Sequence, residues 1–312
     1  LFAGGGLAAL LFVAIVGSTS YGAKISLSIA GISVQPSEFV KILFVFFVAG
    51  MLYQMTDFRQ VCITTAIAAA HVLILVFSRD LGAALLFFVT YVVMLYVATR
   101  DVRYFAGGLV AGAFASVIAY HIFSHIQVRV LAWKDPLAYI DKQGYQVAQS
   151  LFAIGTGGWF GMGLYQGIPD KIPVVKQDFI FSAISEEMGG IFALCLIMVC
   201  FSCFLMFLNI AMQMKDQFYK LIALGLGTTY AFQVILTIGG ATKFIPSTGV
   251  TLPLVSYGGS SLLSSMVIFA IIQGLYIMRQ DEGEEHESKG KNIRKNRKKK
   301  TGFERANVED FS

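Results

Sequence analysis

The sequence predicts an all-α fold, a polytopic bundle of transmembrane helices with one large loop on the outer side. Three observations carry this. Hydrophobic residues fill 56% of the 312 positions and charged residues only 14%, against the roughly 25% typical of a soluble domain; mean hydropathy is +0.69. Charge also gathers at the C-terminus, leaving 15 bases and 11 acids in residues 1–279, too few for a water-facing surface. Finally, eight apolar runs approach the about 20 residues that a membrane crossing needs. They lie at 1–17, 37–54, 61–77, 81–98, 104–123, 178–212, 218–241 and 260–278. The run at 178–212 exceeds one crossing and is expected to tilt or emerge at one end.

The connections alternate in character, and Lys and Arg in short loops mark the cytoplasm. Arg59, then Arg100 and Arg103, then Lys215 and Lys220, then the basic tail fall on one side. The opposite, outer side receives the 18–36 loop, the Arg79–Asp80 turn, the long 124–177 loop and the 242–259 loop. Lys24, Arg79 and Lys243 are exceptions, and the long loop carries five bases, but long loops obey the charge rule poorly. Residues 1–279 therefore read as one membrane domain, and 280–312 as a disordered cytoplasmic tail of high charge and low apolar content.

That tail holds nine Lys and Arg in the last 24 residues. A polybasic run after a membrane helix reads as a topology and lipid-headgroup signal rather than a nucleic-acid site. Membrane lipids are thus expected partners and nucleic acid is not. Cys62, Cys195, Cys200 and Cys203 lack a His or carboxylate at metal-ligand spacing and read as buried small hydrophobes. The chain starts at Leu1 with no charged segment before its apolar run, and is expected to be a fragment of a longer protein rather than to carry a signal peptide.

Ionisable groups inside membrane spans are costly and default to functional candidates. Glu38 and Lys41, three apart on one helix face, are placed to pair. Arg79 and Asp80 sit at the outer join of two helices. Asp178 opens the long helix, with Glu186 roughly 12 Å deeper at about 1.5 Å per residue. Glu187 points about 100° away from Glu186. As a carboxylate at a helix N-terminus, Asp178 reads equally as an N-cap. Yet it follows a 54-residue loop containing Gly155, Gly157, Gly158, Gly161, Gly163 and Gly167 among Trp159, Phe160 and Tyr165. Loops of that length are usually functional or disordered. A single carboxylate aimed from the outer leaflet into such a loop suits chemistry on a lipid-linked substrate.

Several stretches in order resemble the SEDS family (shape, elongation, division and sporulation; RodA, FtsW and SpoVE). Gln35-Pro36-Ser37-Glu38 with Lys41 resembles its QPSE-x-x-K, and Asp80-Leu81-Gly82 its DLG. Gly144-Tyr145-Gln146 with Gln149-Ser150 resembles GYQ-x-x-QS, and Asp178-Phe179-Ile180-Phe181 with Glu186-Glu187 resembles DFIF…EE. Pro246-Ser247-Thr248-Gly249 through Leu252-Pro253 to Ser256-Tyr257-Gly258-Gly259-Ser260-Ser261 resembles the last outer loop. The chain departs at Ser185, usually Gly, at Gly22-Ala23-Lys24, and at Ser78-Arg79 before the DLG.

The resemblance implies a ten-span fold and a peptidoglycan glycosyltransferase that polymerises lipid II, releasing undecaprenyl diphosphate. By carry-over, Asp178 is the catalytic carboxylate, the general base or electrostatic partner of the acceptor hydroxyl. The leaving diphosphate needs positive charge, for which Lys41, Arg79, Arg129 and Lys243 are candidates, or a divalent cation, Mg2+ or Mn2+. Glu38, Asp80, Gln149, Glu186, Glu187, Ser256, Tyr257 and Ser260 complete the expected substrate-binding set. A class B penicillin-binding protein is the implied partner, and the bacterial plasma membrane the implied location. A lipid II flippase and a non-catalytic scaffold are the alternatives.

Overall fold

The computed structural model describes residues 2–20, 23–29, 32–54 and 57–280; the charged tail expected beyond Gln280, together with Leu1 and Gly22, lies outside them. All eight apolar runs are helical. Six helices are long and apolar enough to cross a membrane: α3 (Phe58–Phe77), α4 (Leu81–Thr99), α5 (Val102–Ile122), α8 (Ile180–Gln213), α9 (Gln217–Ala241) and α10 (Gly259–Gln280). The other two, α1 (Phe2–Val16) and α2 (Ser37–Leu52), have 15 and 16 residues, short of about 20.

Helix α9 forms the centre, packing on α8, α4 and α2. Most of its inward residues are small or apolar, among them Gly225, Gly227, Thr228 and Leu226, the composition that lets membrane helices approach closely. The core around it includes Phe44, Phe87, Met94, Phe207, Leu221 and Ile222, all essentially inaccessible. Helix α5 buries none of its residues and sits at the edge, against α4.

Two segments expected to be loops are structured. The described residues within 18–34 form three antiparallel strands, β1 (Ser18–Ser20), β2 (Ala23–Ile29) and β3 (Ile32–Val34), in that order. The alternation Ile25-Ser26-Leu27-Ser28-Ile29 has the period of two that strands require, in runs too short to register beside membrane helices. The 124–177 loop contains α6 (Ser124–Lys134) and α7 (Tyr145–Gly157). Helix α7 buries Val147, Ala148, Ser150, Ala153 and Gly157, a one-sided pattern at helical spacing.

A third correction concerns α8, expected to be one long helix. It breaks at Gly189, where φ is 85° and ψ is 171°, backbone geometry that is essentially reserved for glycine. The freed groups find partners in the glycine-rich loop. Met162 N and Gly163 N donate to Glu186 O and Glu187 O (2.9 and 3.0 Å), and Gly190 N and Ile191 N donate to Gly158 O and Trp159 O (2.8 and 3.2 Å). Backbone beside lipid must be satisfied within the protein, and this loop does so. A Cβ at Gly161 would lie 2.2 Å from Glu187 O, so this glycine serves close packing.

The last loop, 242–258, rests on the start of α4. A Cβ on Gly82 would fall 2.2 Å from Val250 Cγ2 and 3.0 Å from Thr248 O. Gly82→Ala is therefore expected to destabilise the detergent-solubilised protein by about 1–3 kcal/mol. Gly107→Ala, whose Cβ meets nothing within 4 Å, should melt like the parent, and equal melting of the two variants would contradict this packing.

Candidate active site at the loop end of the bundle

The four segments grouped on one side by their charge meet at one end of the bundle. Gln35 N donates to Ser260 Oγ (3.0 Å), and Arg129 Nη1 on α6 donates to Ser247 O (2.9 Å). Ser256 Oγ donates to Gln177 O (2.5 Å) and accepts from Leu252 N (2.8 Å), while Tyr257 N donates to Lys176 O (2.8 Å). The last loop thus clasps the backbone immediately before Asp178.

Asp178 itself does not open the helix. Helix α8 begins at Ile180 with Phe179 at its cap and no side-chain capping bond, so the N-cap reading fails by one residue. The carboxylate makes no hydrogen bond or ion pair among the described residues. It faces Arg129 across Gly249, where φ is 76°. A Cβ at Gly249 would lie 3.6 Å from Asp178 Oδ2, 3.7 Å from Arg129 Nη2 and 3.8 Å from Arg129 Nη1. Glycine keeps the space between carboxylate and guanidinium open.

Burial pushes the Asp178 carboxyl up to about 6, and the Arg129 charge pulls in the opposite direction. At neutral pH the group is mostly ionised, yet basic enough to accept a proton, the compromise that general-base chemistry favours. Burial also works against the Arg129 charge, while Asp178 and Asp80 favour it. Arg129 is therefore within electrostatic reach of both carboxylates.

The other expected residues divide by what they touch. Asp80 is the N-cap of α4: Ala83 N donates to Oδ1 (3.1 Å), and Ser37 Oγ and Gln35 Nε2 to Oδ2 (3.1 and 3.4 Å). Its carboxyl is raised, chiefly by burial, with those three bonds opposing. Lys41 is 4% exposed, bonded to Glu38 Oε2 at 2.5 Å and Gln233 Oε1 at 2.8 Å. Ser264 Oγ also donates to Glu38 Oε2 (2.8 Å), so this pair belongs to the bundle's interior. Ser256, Tyr257 and Ser260 hold loops together by the bonds given above.

Arg79 is exposed at the α3–α4 join, with φ 64°, and its charge bears on His125 together with that of Arg129. Lys243 takes φ 60°, and its carbonyl accepts from Trp133 Nε1 (3.0 Å). Gln149 is half-buried on α7. Glu186 and Glu187 do not lie deep in a continuous span; they precede the break at Gly189. Glu186 is covered by loop backbone, with Ile168 N donating to Oε1 at 3.3 Å.

Sequence reasoning missed Gly249, which separates the two charges, and Ser150. The Ser150 hydroxyl lies 2.5 Å from Ser182 Oγ and donates to Ala241 O at 2.7 Å, tying α7 to α8 and α9. Ser150 was visible inside GYQ-x-x-QS, but only as part of a motif. For a divalent cation the donor set is poor. No three His, Cys, Asp or Glu side chains converge among the described residues, and the charge facing Asp178 across Gly249 is that of Arg129.

Fold and site together define a polytopic helical membrane protein with a half-buried carboxylate at a loop-built mouth, unpaired among the described residues. The family model described as Cell cycle protein, of FtsW, RodA and SpoVE, matches residues 2–281, and the chain belongs to this family. It is 39% identical over 289 residues to peptidoglycan glycosyltransferase RodA of Mycobacterium tuberculosis, covering 86% of this chain and 62% of that one. Stage V sporulation protein E of Bacillus subtilis is 34% identical over 278 residues, 85% of this chain and 75% of that one. The chain thus spans 62% of the length of its mycobacterial relative.

Among solved structures it is similar to a chain from work on coordination of polymerization and crosslinking by a peptidoglycan synthase complex. The TM-score is 0.76 at 25% identity, covering 89% of this chain and 80% of that one. Rod shape determining protein RodA of Thermus thermophilus shares the fold, with a TM-score of 0.63 at 23% identity over 87% and 75% of the two chains.

Removing the Ser256 hydroxyl strands a backbone donor and acceptor, a loss of about 1–3 kcal/mol. Ser256→Ala is expected to speed amide exchange at Lys176–Asp178 by about five-fold or more, while exchange in α9 stays unchanged. Unaltered exchange at Lys176–Asp178 would contradict the clasp.

Proposed function

We propose that the chain is the core of a peptidoglycan glycosyltransferase that polymerises lipid II, with Asp178 as general base. One observation carries this: a carboxylate without hydrogen-bond or ion-pair partners among the described residues, pushed up to about 6 by burial, faces a guanidinium across a glycine. The names of the relatives, peptidoglycan glycosyltransferase RodA foremost, support the substrate class.

In this reading the C4 hydroxyl of one disaccharide approaches Asp178. Its proton passes to the carboxylate as its oxygen bonds to the anomeric carbon of a second disaccharide. The bond from that carbon to the diphosphate breaks, and undecaprenyl diphosphate leaves with the electron pair. Arg129 is placed to meet the growing negative charge, with Arg79 and Lys243 as further cations at the same end. Lys41, tied to Glu38 and Gln233, acts on the bundle rather than the leaving group. With a pKa about 6, Asp178 returns its proton to water at neutral pH.

A lipid-linked substrate requires the loop end to face the outer leaflet of the plasma membrane, which puts the tail in the cytoplasm. The basic connections at the opposite end support that orientation. A class B penicillin-binding protein fits as partner, since the similar complex couples polymerization with crosslinking.

The test is purified protein with fluorescent lipid II. Asp178→Asn keeps the shape, so melting should not change, while glycan formation falls by the about 10²–10⁴-fold that general bases contribute. Polymer formed by the variant at the parental rate would sink the assignment. Lipid II crossing vesicles with no polymer from the parent would favour the flippase.

A further inference from the structure

The opposite end of the bundle carries a cleft of about 330 Å³, lined by Tyr96, Val97, Arg100, Gln217 and Lys220. It lies where α4 ends and α9 begins, away from Asp178 and the proposed chemistry. Helix α4 supplies Tyr96 and Val97, Arg100 follows as its C-cap, and α9 supplies Gln217 and Lys220, three apart on one face.

The two cations have no side-chain hydrogen bond or ion pair among the described residues. The adjacent acids are engaged elsewhere. Asp101 is held by Arg103 through Nε and Nη2 at 2.7–3.1 Å, and Asp216 Oδ1 accepts from Phe218 N at 2.7 Å. The helix dipole favours Arg100 at the C-terminus of α4. Lys220 lies in the first turn of α9, four residues after Asp216 at its N-cap, whose Oδ1 is taken by Phe218 N. Arg100 also holds a left-handed φ of 55°, a conformation that disfavours side chains other than Asn, Asp and Gly. Two cations without a side-chain partner among the described residues, one of them on positive-φ backbone, thus converge on one cleft and favour an anionic ligand there.

We infer that this cleft binds the phosphate of an anionic phospholipid, with Arg100 and Lys220 on its oxygens and Tyr96 and Val97 against the glycerol and first acyl carbons. Two features favour a lipid over free phosphate. The cleft opens between helices long enough to span the bilayer, at their membrane-surface ends, and its α4 wall is apolar and aromatic, as headgroup-level residues are. Gln217 completes the polar edge.

The full chain, in micelles of zwitterionic detergent, is titrated with phosphatidylglycerol and bound lipid is counted by native mass spectrometry. The parent should retain one phosphatidylglycerol in preference to phosphatidylcholine. Arg100→Gln and Lys220→Gln should each weaken binding by about five-fold and the double variant by about 25-fold. Lys215→Gln, nearby but outside the cleft, should match the parent, and every variant should unfold cooperatively without added lipid. The basic tail is common to all variants and cancels. Undiminished affinity in the double variant, an equal loss in Lys215→Gln, or displacement of the lipid by equimolar inorganic phosphate would each overturn the proposal.

Discussion

A lysine ammonium buried among membrane helices has to be neutralised within the protein, because neither lipid nor water is there to do it. Lys41 meets that requirement through Glu38 and Gln233, and the consequences run through the whole loop end. Gln233 Nε2 donates to Thr251 O (3.0 Å), Thr251 Oγ1 pairs with Ser261 Oγ (2.6 Å), and Ser264 returns to Glu38. One charge thus ties α2, α9, the last loop and α10 together. Deleting either partner of such a pair typically costs about 3–5 kcal/mol, so the loop is fixed to the buried interior of the bundle.

From that anchored loop the site is built outward. Val250 and Thr248 lie on Gly82, Gly249 opens the gap between Asp178 and Arg129, and Ser256 with Tyr257 grips the backbone at Lys176 and Gln177. Asp178 is positioned without spending its own oxygens. This explains how its carboxylate stays free for a substrate while burial lifts its proton affinity and Arg129 moderates the rise. A capping Asp would have its oxygens occupied, as the bonds to Asp80 show by contrast.

Much of this was legible in the sequence, for physical reasons that also mark where legibility stopped. Apolar runs report helices directly, because lipid tolerates little else, and all eight appeared. Loop charge grouped the right segments at one end. The pairing of Glu38 with Lys41 followed from spacing alone. Gly189 did not, since Gly189-Gly190 inside an apolar run looks like helix until its loop partners are known. Residues 18–34 alternate over too few positions to stand out, and α7 is too short for a membrane scan. Gly249 acquires its role only because residues remote in sequence, Arg129 and Asp178, converge on it. The glycine-rich loop suggested ligand binding, yet Gly161 proves to serve the broken helix.

The central claim is that ionised Asp178 accepts the acceptor proton while Arg129 sets its affinity for that proton. The pH dependence of the lipid II polymerisation rate tests it most directly, compared between the parent and Arg129→Gln. The carboxylate is the active form, so the parental rate should rise with pH along an acid limb near pH 6 and level above it. Without the guanidinium that lowers the carboxyl pKa, the limb should move to higher pH, even where the maximal rate falls. A limb that is absent near 6, or that stays in place when Arg129 is removed, would contradict the account.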